Sequence, residues 1–307
     1  MDSSTTHAVT GAFGYSGKYI ARLLLEKGVS VHTLTNSKDR PTEYAEQITV
    51  HPLKFDDEDE LARSLEGCSV LYNTYWIRFN YKTANHSIAV ENSLKLFEAA
   101  KKAGVQRIVH SSITNPDINS PLPYFSGKAI LEQAIKDSGL SYAILRPAIL
   151  FGEEDILINN IAWTLRKFPI VGIFGDGKYK LQPIWVDDYA RMAVEQGMKT
   201  ENIIMDAVGT ETFAYTDLVK MIGKIIGRNR ILLRMPDWFG LMMTKIIGAM
   251  VHDILVTKTE IKGLKSNLLH VDSEPRGTKK LTEWIEENKS TVGMKYANEL
   301  QRRTDRA

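Results

Sequence analysis

A tyrosine and a lysine four residues apart are the part of this sequence best suited to acid-base chemistry. Tyr124 and Lys128 lie at the start of a predicted helix over 124–137, and this spacing puts both side chains on one helical face. A tyrosine has an ordinary pKa of about 10, and a nearby ammonium group lowers that pKa because it stabilises the phenolate. The pair therefore predicts a proton donor and acceptor, with Tyr124 as acid/base and Lys128 as the group that tunes it.

Ser112 supplies a third candidate group at the end of a predicted strand. Its hydroxyl could hydrogen-bond a substrate carbonyl or alcohol and hold it for reaction. Each motif alone is common, because Tyr-x-x-x-Lys arises by chance on helices and serine pairs end many strands. Since they occur together, we interpret Ser112, Tyr124 and Lys128 as one catalytic site.

Three glycines in the spacing G-x-x-G-x-x-G stand between an apolar strand and an amphipathic helix near the start of the chain. The first allows a tight turn, the second lets backbone approach a pyrophosphate, and the third lets the helix pack closely on the sheet. The helix N-terminus favours phosphate groups. We predict that this turn binds a nicotinamide dinucleotide, which makes the serine, tyrosine and lysine a hydride-transfer site. The predicted binding residues are Gly11, Ala12, Phe13, Gly14, Tyr15, Ser16 and Gly17.

The residues after the second predicted strand bear on the choice of cofactor. An acid about 20 residues beyond the glycines would bind both ribose hydroxyls of NAD. Here no carboxylate stands at the strand end, and Ser37, Lys38 and Arg40 could pair with a 2′-phosphate. We therefore prefer NADP to NAD, with Asn36, Ser37 and Arg40 as binding residues. Asp39 favours NAD instead, and an exposed solvated turn is the alternative.

Short apolar runs alternate with helical patterns over the first half of the chain. The predicted strands cover residues 29–34, 48–53, 69–73, 105–110 and 142–145, and the helices between them include 57–65, 85–103 and 124–137. This order predicts an α/β fold, a Rossmann doubly wound parallel sheet with ligands at the carboxyl ends of its strands. We predict an NAD(P)-binding domain over 1–146 and a smaller, interleaved C-terminal substrate lobe over 147–307.

Composition limits the partners and the compartment. The chain has 307 residues, with 39 Lys and Arg against 37 Asp and Glu, so its net charge of +2 gives no general attraction to nucleic acid or to acidic membranes. Its one cysteine, Cys68, cannot form an intrachain disulfide, and no Cys/His cluster has zinc-ligand spacing. Polar residues 1–6 precede the first strand directly. We expect no signal peptide, no metal and a cytoplasmic location.

Further segments have structural as well as functional interpretations. Residues 238–256 are apolar but interrupted by charge, so we predict a helix that does not span a membrane, with docking on a membrane surface or a partner protein as the alternative. Helices flanking the sheet are candidates for a homodimer interface. Asp187 and Asp188 are predicted caps of a helix over 189–197, with a metal or paired-carboxylate site as the alternative. Several aromatic residues either line an apolar substrate cleft or pack in the core, namely Trp76, Phe79, Trp163, Trp185, Trp238 and Phe239.

These motifs resemble the short-chain dehydrogenase/reductase superfamily in its extended and atypical branches, which include NmrA-like proteins. The matching stretches are Thr10-Gly11-x-x-Gly14-x-x-Gly17, Ser111-Ser112, Tyr124-x-x-x-Lys128, Leu145-Arg146-Pro147, and Gly175-Asp176-Gly177 leading to Val186-Asp187-Asp188. The resemblance implies NAD or NADP in a Rossmann domain, Tyr124 as acid/base, Lys128 on the nicotinamide ribose and Ser112 positioning the substrate. It also places Pro147 beside the cofactor and Asp56 on adenine, with a helix N-cap as the alternative for Asp56.

The chain departs in two places from the nucleotide-sugar enzymes of the extended branch. Only residues 113–123 separate Ser112 from Tyr124, and Leu181 stands where nucleotide-sugar enzymes usually carry a phosphate-binding arginine. The chain in this respect is similar to the atypical group that includes the 39 kDa accessory subunit of respiratory complex I. We prefer an NAD(P)-dependent oxidoreductase acting on a small carbonyl or alcohol. The alternatives are a non-catalytic NADP(H)-binding regulatory or complex-assembly subunit and a nucleotide-sugar epimerase or dehydratase.

Overall fold

The computed structural model describes residues 5–36 and 43–304. The chain divides into two compact units. Among the described residues, the first runs up to Pro147 and also includes Tyr189–Asp206, and the second comprises Ala148–Asp188 and residues 207–304. The residues predicted to bind the 2′-phosphate of NADP, Ser37, Lys38 and Arg40, lie outside the described residues, as does Asp39.

The secondary-structure elements alternate over the first half of the chain, as the sequence predicts. The strands are β1 (Thr6–Thr10), β2 (Ser30–Leu34), β3 (Ile48–His51), β4 (Cys68–Asn73), β5 (Arg107–Ser111), β6 (Ser141–Pro147), β7 (Ile149–Phe151), β8 (Ile170–Phe174), β9 (Lys180–Leu181), β10 (Pro183–Trp185), β11 (Ile203–Ala207), β12 (Phe213–Ala214) and β13 (Ile231–Met235). The helices are α1 (Tyr15–Glu26), α2 (Glu58–Arg63), α3 (His86–Lys102), α4 (Pro123–Asp137), α5 (Leu157–Lys167), α6 (Val186–Gly197), α7 (Tyr215–Ile225), α8 (Asp237–Val251), α9 (Lys258–Lys265), α10 (Leu281–Glu287) and α11 (Glu299–Thr304).

A seven-stranded sheet in the order β11-β6-β5-β4-β1-β2-β3 forms the centre of the first unit. The pairs from β3 through β2, β1, β4 and β5 to β6 are all parallel. The strand order reverses between β1 and β4, which is the point where doubly wound folds bind dinucleotides. The predicted Rossmann-type α/β fold is therefore confirmed, and the carboxyl ends of β1, β4 and β5 lie side by side.

The sheet is buried on both faces, as parallel sheets require. Ala8 of β1, Leu71 of β4 and Ile108 of β5 are completely buried, and residues of α2, α3 and α4 pack in the same core. Such strands consist of continuous apolar runs rather than alternating ones. This explains why short apolar runs located them in the sequence.

The second unit has its own core. It is built from α5, α7 and α10 with Phe151, Ile173 and Trp284 buried among them. Three two-stranded sheets belong to this unit and pair β10 with β7, β12 with β9 and β13 with β8.

Most predicted boundaries differ from the observed ones by one or two residues, and two of the differences concern acidic residues that the sequence singled out. The third strand ends at His51 rather than at residue 53, so Asp56 lies in a loop. Helix α6 begins at Val186, and the predicted capping role of Asp187 and Asp188 is wrong because both lie in its first turn. The carboxylate of Asp188 is buried and accepts hydrogen bonds from the backbone N–H groups of Thr278 (2.7 Å) and Lys279 (2.8 Å).

The apolar segment 238–256 forms α8 and the loop after it. Across the described ranges, no helix combines the length and the apolar composition that a bilayer crossing requires.

Candidate active site

The glycine turn after β1 has the geometry that its spacing predicts. Gly11 has a φ of +66°, its N–H donates to Leu34 O (3.0 Å), and the N–H of Gly14 donates to Gly11 O (2.7 Å). A Cβ on Gly17 would lie 2.9 Å from the carbonyl carbon of Gly11 and closer still to its oxygen. Glycine at position 17 is therefore what allows α1 to pack against the turn.

The N-terminus of α1 is suited to an anion. Gly14 is the N-cap residue, no side chain caps the helix, and its first turn holds no acidic residue. The first N–H groups of a helix have no partner within it, and the helix dipole makes this end positive. This end of α1 therefore fits the pyrophosphate of a dinucleotide.

Thr10 fastens the loop after β4 to the glycine turn. Its hydroxyl oxygen accepts hydrogen bonds from the N–H groups of Thr74 (2.8 Å) and Tyr75 (3.1 Å), and the Thr74 hydroxyl donates to Thr10 O (2.6 Å). This loop carries Trp76. The hydrogen bonds therefore hold Trp76 at the carboxyl edge of the sheet, close to the predicted phosphate site.

Trp76 brings the predicted catalytic residues together. The Nζ atom of Lys128 lies 4.3 Å from the centre of a Trp76 ring, and the Tyr124 ring meets Trp76 edge-on with centroids 5.6 Å apart. A Cβ on Gly127 would lie 3.0 Å from Trp76 Cη2. Gly127 thus leaves room for the indole between the tyrosine and the lysine.

The phenol of Tyr124 lies in an aromatic environment and is half-buried. The His86 ring, at the start of α3, packs edge-on against it with centroids 5.7 Å apart. The indole Nε1 of Trp76 is buried and has no hydrogen-bond partner among the described residues.

Lys128 is deeply buried, with 2% of its surface exposed. Its Nζ donates to Ser111 O (2.5 Å). Burial lowers the pKa of Lys128 from its ordinary 10.5 to about 7, although the Glu132 carboxylate opposes the decrease. His110 is fully buried nearby, and burial together with the charge of Lys128 lowers its pKa well below 6.5. Lys128 therefore titrates near neutral pH.

This titration predicts a pH-dependent stability. Between the pKa of about 7 in the folded chain and 10.5 in the unfolded chain, the unfolded chain binds a proton that the folded chain lacks. Stability therefore rises with pH in this window and is lost as pH falls through 7. We expect the free energy of unfolding of the wild type to increase, relative to Lys128→Met, by about 1.4 kcal/mol per pH unit between neutral pH and about pH 9. Urea titrations of both proteins measure it, and parallel pH profiles would contradict the burial of a titrating amine.

Ser112 is engaged with the protein rather than exposed. Its hydroxyl donates to Glu132 Oε1 (2.5 Å), and only 4% of the residue is accessible. Glu132 also binds Arg146 through both carboxylate oxygens (2.9 and 2.5 Å). The one proton of Ser112 is thus used, so in this arrangement the hydroxyl can accept from a substrate alcohol but cannot donate to a carbonyl. Its predicted contact with substrate stays a prediction.

Glu132 is a residue of this site that the sequence patterns above did not single out. It lies four residues after Lys128 and eight after Tyr124, so helical spacing alone places it on the same face of α4. It connects the lysine, through its charge, with Ser112 and Arg146. The four-residue spacing after Lys128 is the feature of the sequence that could have identified Glu132 as a residue of this site.

Three further residues were predicted to bind the cofactor. The side chain of Asn36 forms hydrogen bonds with the backbone O and N–H of Leu53 (both 3.1 Å). Asp56 is exposed, and the N-cap of α2 is Asp57, which accepts from the N–H of Glu60 (2.8 Å), so the capping alternative for Asp56 is wrong. Pro147 ends β6. Their contacts with a cofactor stay predictions.

The other aromatic residues separate into two groups. Phe79 is buried, Trp163 packs against Phe168 and Tyr296, and Trp185 packs on the core of the second unit. Trp238 is exposed on α8. Within residues 5–36 and 43–304, no group of three or more His, Cys, Asp and Glu side chains is placed to hold a metal ion.

Comparison with curated proteins gives relatives of several kinds, among them an NADH dehydrogenase subunit, an assembly factor and a cinnamoyl-CoA reductase. The NADH dehydrogenase [ubiquinone] 1 alpha subcomplex subunit 9, mitochondrial, of Arabidopsis thaliana is 28% identical over 239 residues, which are 73% of this chain and 58% of that protein. The photosystem II assembly factor Ycf39 of Cyanophora paradoxa is 24% identical over 236 residues, 75% of this chain and 72% of that protein. The chain spans about three fifths of the length of the related NADH dehydrogenase or NADH-ubiquinone oxidoreductase subunits of Arabidopsis thaliana, Dictyostelium discoideum and Neurospora crassa.

Among solved structures, the NADPH-dependent quinone oxidoreductase QOR2 of Escherichia coli, complexed with NADPH, has a TM-score of 0.73 and 22% identity. The match covers 91% of this chain and 98% of that one. This likeness shows the fold. The model of the NAD dependent epimerase/dehydratase family matches residues 7–197, a span that contains the glycine turn, Ser112, Tyr124 and Lys128. With that match over more than half of its length, the chain belongs to the NAD dependent epimerase/dehydratase family.

Proposed function

We propose that the chain is an NAD(P)-dependent oxidoreductase that transfers hydride to or from a small carbonyl or alcohol substrate. One observation carries the proposal. Tyr124 and Lys128 lie one helical turn apart on α4, and both contact Trp76. Trp76 belongs to the loop that Thr10 holds against the glycine turn by hydrogen bonds. A partly accessible acid/base thus lies at the edge of the sheet where the family binds its dinucleotide.

The residues that would hold the cofactor divide between its two ends. The backbone from Gly11 to Gly17 would bind the pyrophosphate, and Asn36 with Ser37 and Arg40 would bind the adenosine end, where we prefer the 2′-phosphate of NADP. Bound there, the nicotinamide supplies the hydride donor or acceptor. Lys128 and Pro147 would lie toward the nicotinamide end.

The protein's own part of the reaction is proton transfer and positioning. In the reducing direction the Tyr124 phenol donates its proton to the substrate oxygen, and in the oxidising direction the phenolate accepts it. Protonated Lys128 stabilises the phenolate, so its pKa of about 7 ties the reactivity of Tyr124 to pH near neutrality. Trp76 and His86 enclose the phenol. The Ser112 oxygen would offer an acceptor to the alcohol.

Turnover assays test this proposal. NADPH and NADH consumption is followed by absorbance with a panel of aldehydes and ketones, and quinones join the panel because QOR2, which shares the fold, is a quinone oxidoreductase. We expect turnover with at least one carbonyl class and a preference for NADPH. Saturable NADPH binding without consumption by any member of the panel would contradict the enzymatic role.

A non-catalytic NADP(H)-binding subunit is the second candidate. The internal hydrogen bonds favour it, because Lys128 already binds Ser111 O and Ser112 already binds Glu132. Relatives named as a complex subunit and as an assembly factor also support it. Native gel electrophoresis of the source cell extract, probed for this chain, distinguishes the two: a subunit migrates with a large assembly, and an independent enzyme does not.

A nucleotide-sugar epimerase or dehydratase has less support. Leu181, at the position expected for a phosphate-binding arginine, is fully buried in the core of the second unit. The cytoplasmic location and the homodimer remain proposals as well. Cell fractionation and light scattering of the purified chain test them.

A further inference from the structure

Helix α8 exposes its apolar side chains to solvent. Trp238, Met242, Ile246 and Met250 recur every four residues and form one stripe, with 44 to 69% of each residue exposed. The buried residues of α8 are only two glycines, Gly240 and Gly248. A surface helix normally turns its apolar stripe toward the core. In α8 the apolar stripe faces solvent instead.

The stripe is extended by the outer face of the two-stranded sheet that precedes it. The parallel register of β13 and β8 aligns Ile231 with Ile170 and Leu233 with Gly172, and all three apolar residues are at least half exposed. Helix α8 lies on the same side, because a Cβ on Gly240 would meet the Phe174 ring at the end of β8. We define the docking face as Ile170, Ile231, Leu233, Trp238, Met242, Ile246 and Met250.

The charged residues of the segment that carries most of the docking face are mostly positive. Residues 224–252 contain five Lys and Arg and a single acid, Asp237. The Asp237 carboxylate is bound by Lys265 Nζ (2.8 and 3.1 Å). Arg234 and Lys245 are exposed on β13 and α8 themselves, and Arg228 is exposed just before β13. An apolar surface with a cationic border is complementary to a surface that is apolar within and anionic outside.

We propose that the docking face binds the surface of an anionic lipid bilayer. Its apolar side chains enter the boundary between headgroups and acyl chains, Trp238 lies at the interface, and Arg234 and Lys245 contact anionic headgroups. The 15 residues of α8 extend about 22 Å, a length suited to lying in the interface. The proposal goes beyond hydride transfer and does not depend on it.

The cationic border also argues against a second copy of this chain as the occupant. A two-fold interface places the same patch against itself. Arg234 and Lys245 of one copy would then approach those of the other, and like charges repel. An anionic bilayer offers both the apolar interior and the opposite charge.

Vesicle sedimentation of the full chain tests the proposal. We expect the wild type to bind vesicles of phosphatidylcholine mixed with phosphatidylserine, and to bind vesicles of phosphatidylcholine alone several-fold more weakly. The stripe variant Trp238→Ser/Met242→Gln/Ile246→Ser/Met250→Gln should bind at least about tenfold more weakly to both. The affinity of Arg234→Glu/Lys245→Glu should fall by at least about fivefold for each residue replaced, on phosphatidylserine vesicles only. The matched control Ile118→Ser/Met198→Gln/Met294→Gln alters exposed apolar residues elsewhere and should bind as the wild type does.

A second measurement does not depend on how the variants fold. The tryptophan fluorescence of the wild type should shift to shorter wavelength on phosphatidylserine vesicles, and the shift should be mostly lost in Trp238→Phe. Absence of wild-type binding to either vesicle, or stripe-variant binding equal to that of the wild type, would overturn the proposal. A concentration-dependent dimer that the stripe variant abolishes would also overturn it and assign the face to a second copy.

Discussion

Replacing Tyr124 by Phe is expected to lower kcat by about a thousandfold without changing the affinity for NADPH, because positioned proton transfer contributes about 10²- to 10⁴-fold. The phenyl ring keeps the edge-on contacts with Trp76 and His86, so the variant loses the hydroxyl and little else. Steady-state kinetics with the best carbonyl substrate and a calorimetric titration with NADPH separate the two effects.

Tyr81→Phe is the matched control for this experiment. Tyr81 lies in the same loop as Trp76, and its hydrogen bonds with Ala84 are made by its backbone. We expect its kcat to equal that of the wild type. Turnover of Tyr124→Phe at the wild-type rate would remove Tyr124 from the chemistry and favour the non-catalytic candidate.

Gly17→Ala is expected to have the second large effect, on both the stability of the chain and its affinity for the dinucleotide. The new Cβ would meet the carbonyl group of Gly11, which is backbone and cannot rotate away as a side chain can. Either α1 or the turn must move. Overpacking of this kind costs about 1–3 kcal/mol. A shift of the helix N-terminus also removes amide donors from the pyrophosphate, and we expect at least about a hundredfold weaker NADPH binding, roughly the loss of two charge-assisted hydrogen bonds.

Gly104→Ala is the control that separates the cost of backbone strain from the loss of NADPH binding expected for Gly17→Ala. Gly104 has a φ of +81°, and nothing lies within 4 Å of a Cβ placed there. The left-handed conformation alone should cost about 1–2 kcal/mol, with no change in NADPH affinity. Urea unfolding and calorimetry measure both variants. NADPH affinity of Gly17→Ala equal to that of the wild type would contradict phosphate binding at the glycine turn.

The alternation of strands and helices could be predicted because parallel strands buried on both faces are continuous apolar runs. The residues at which strands and helices begin and end were harder to predict. Leu53 continues the apolar run of β3, yet pairing ends at His51, since Pro52 has no N–H to donate to a neighbouring strand. Asp187 and Asp188 favour the start of a helix as caps, but first-turn acids are stabilised there as well. The sequence alone could not show whether these acids stand at the N-cap or in the first turn of the helix.

The spacing of residues in the sequence was enough to identify the candidate site. It was not enough to predict which groups surround those residues in the fold. Lys128 lies against Trp76, which belongs to another element and reaches the lysine only because position 127 is a glycine. The sequence shows Ser112 only as a serine at a strand end, whereas in the fold its hydroxyl donates a hydrogen bond to the Glu132 carboxylate. Burial and long-range partners decide the pKa of Lys128 and the role left to Ser112, and local patterns do not record either.

Diffraction from crystals grown with NADPH tests the central claim most directly. We expect the pyrophosphate against the backbone of Gly11 to Gly17 and the nicotinamide ring beside the Tyr124 hydroxyl, with the Trp76 loop still fastened to Thr10. A dinucleotide bound elsewhere, or a nicotinamide ring kept away from Tyr124 by Trp76, would contradict the account.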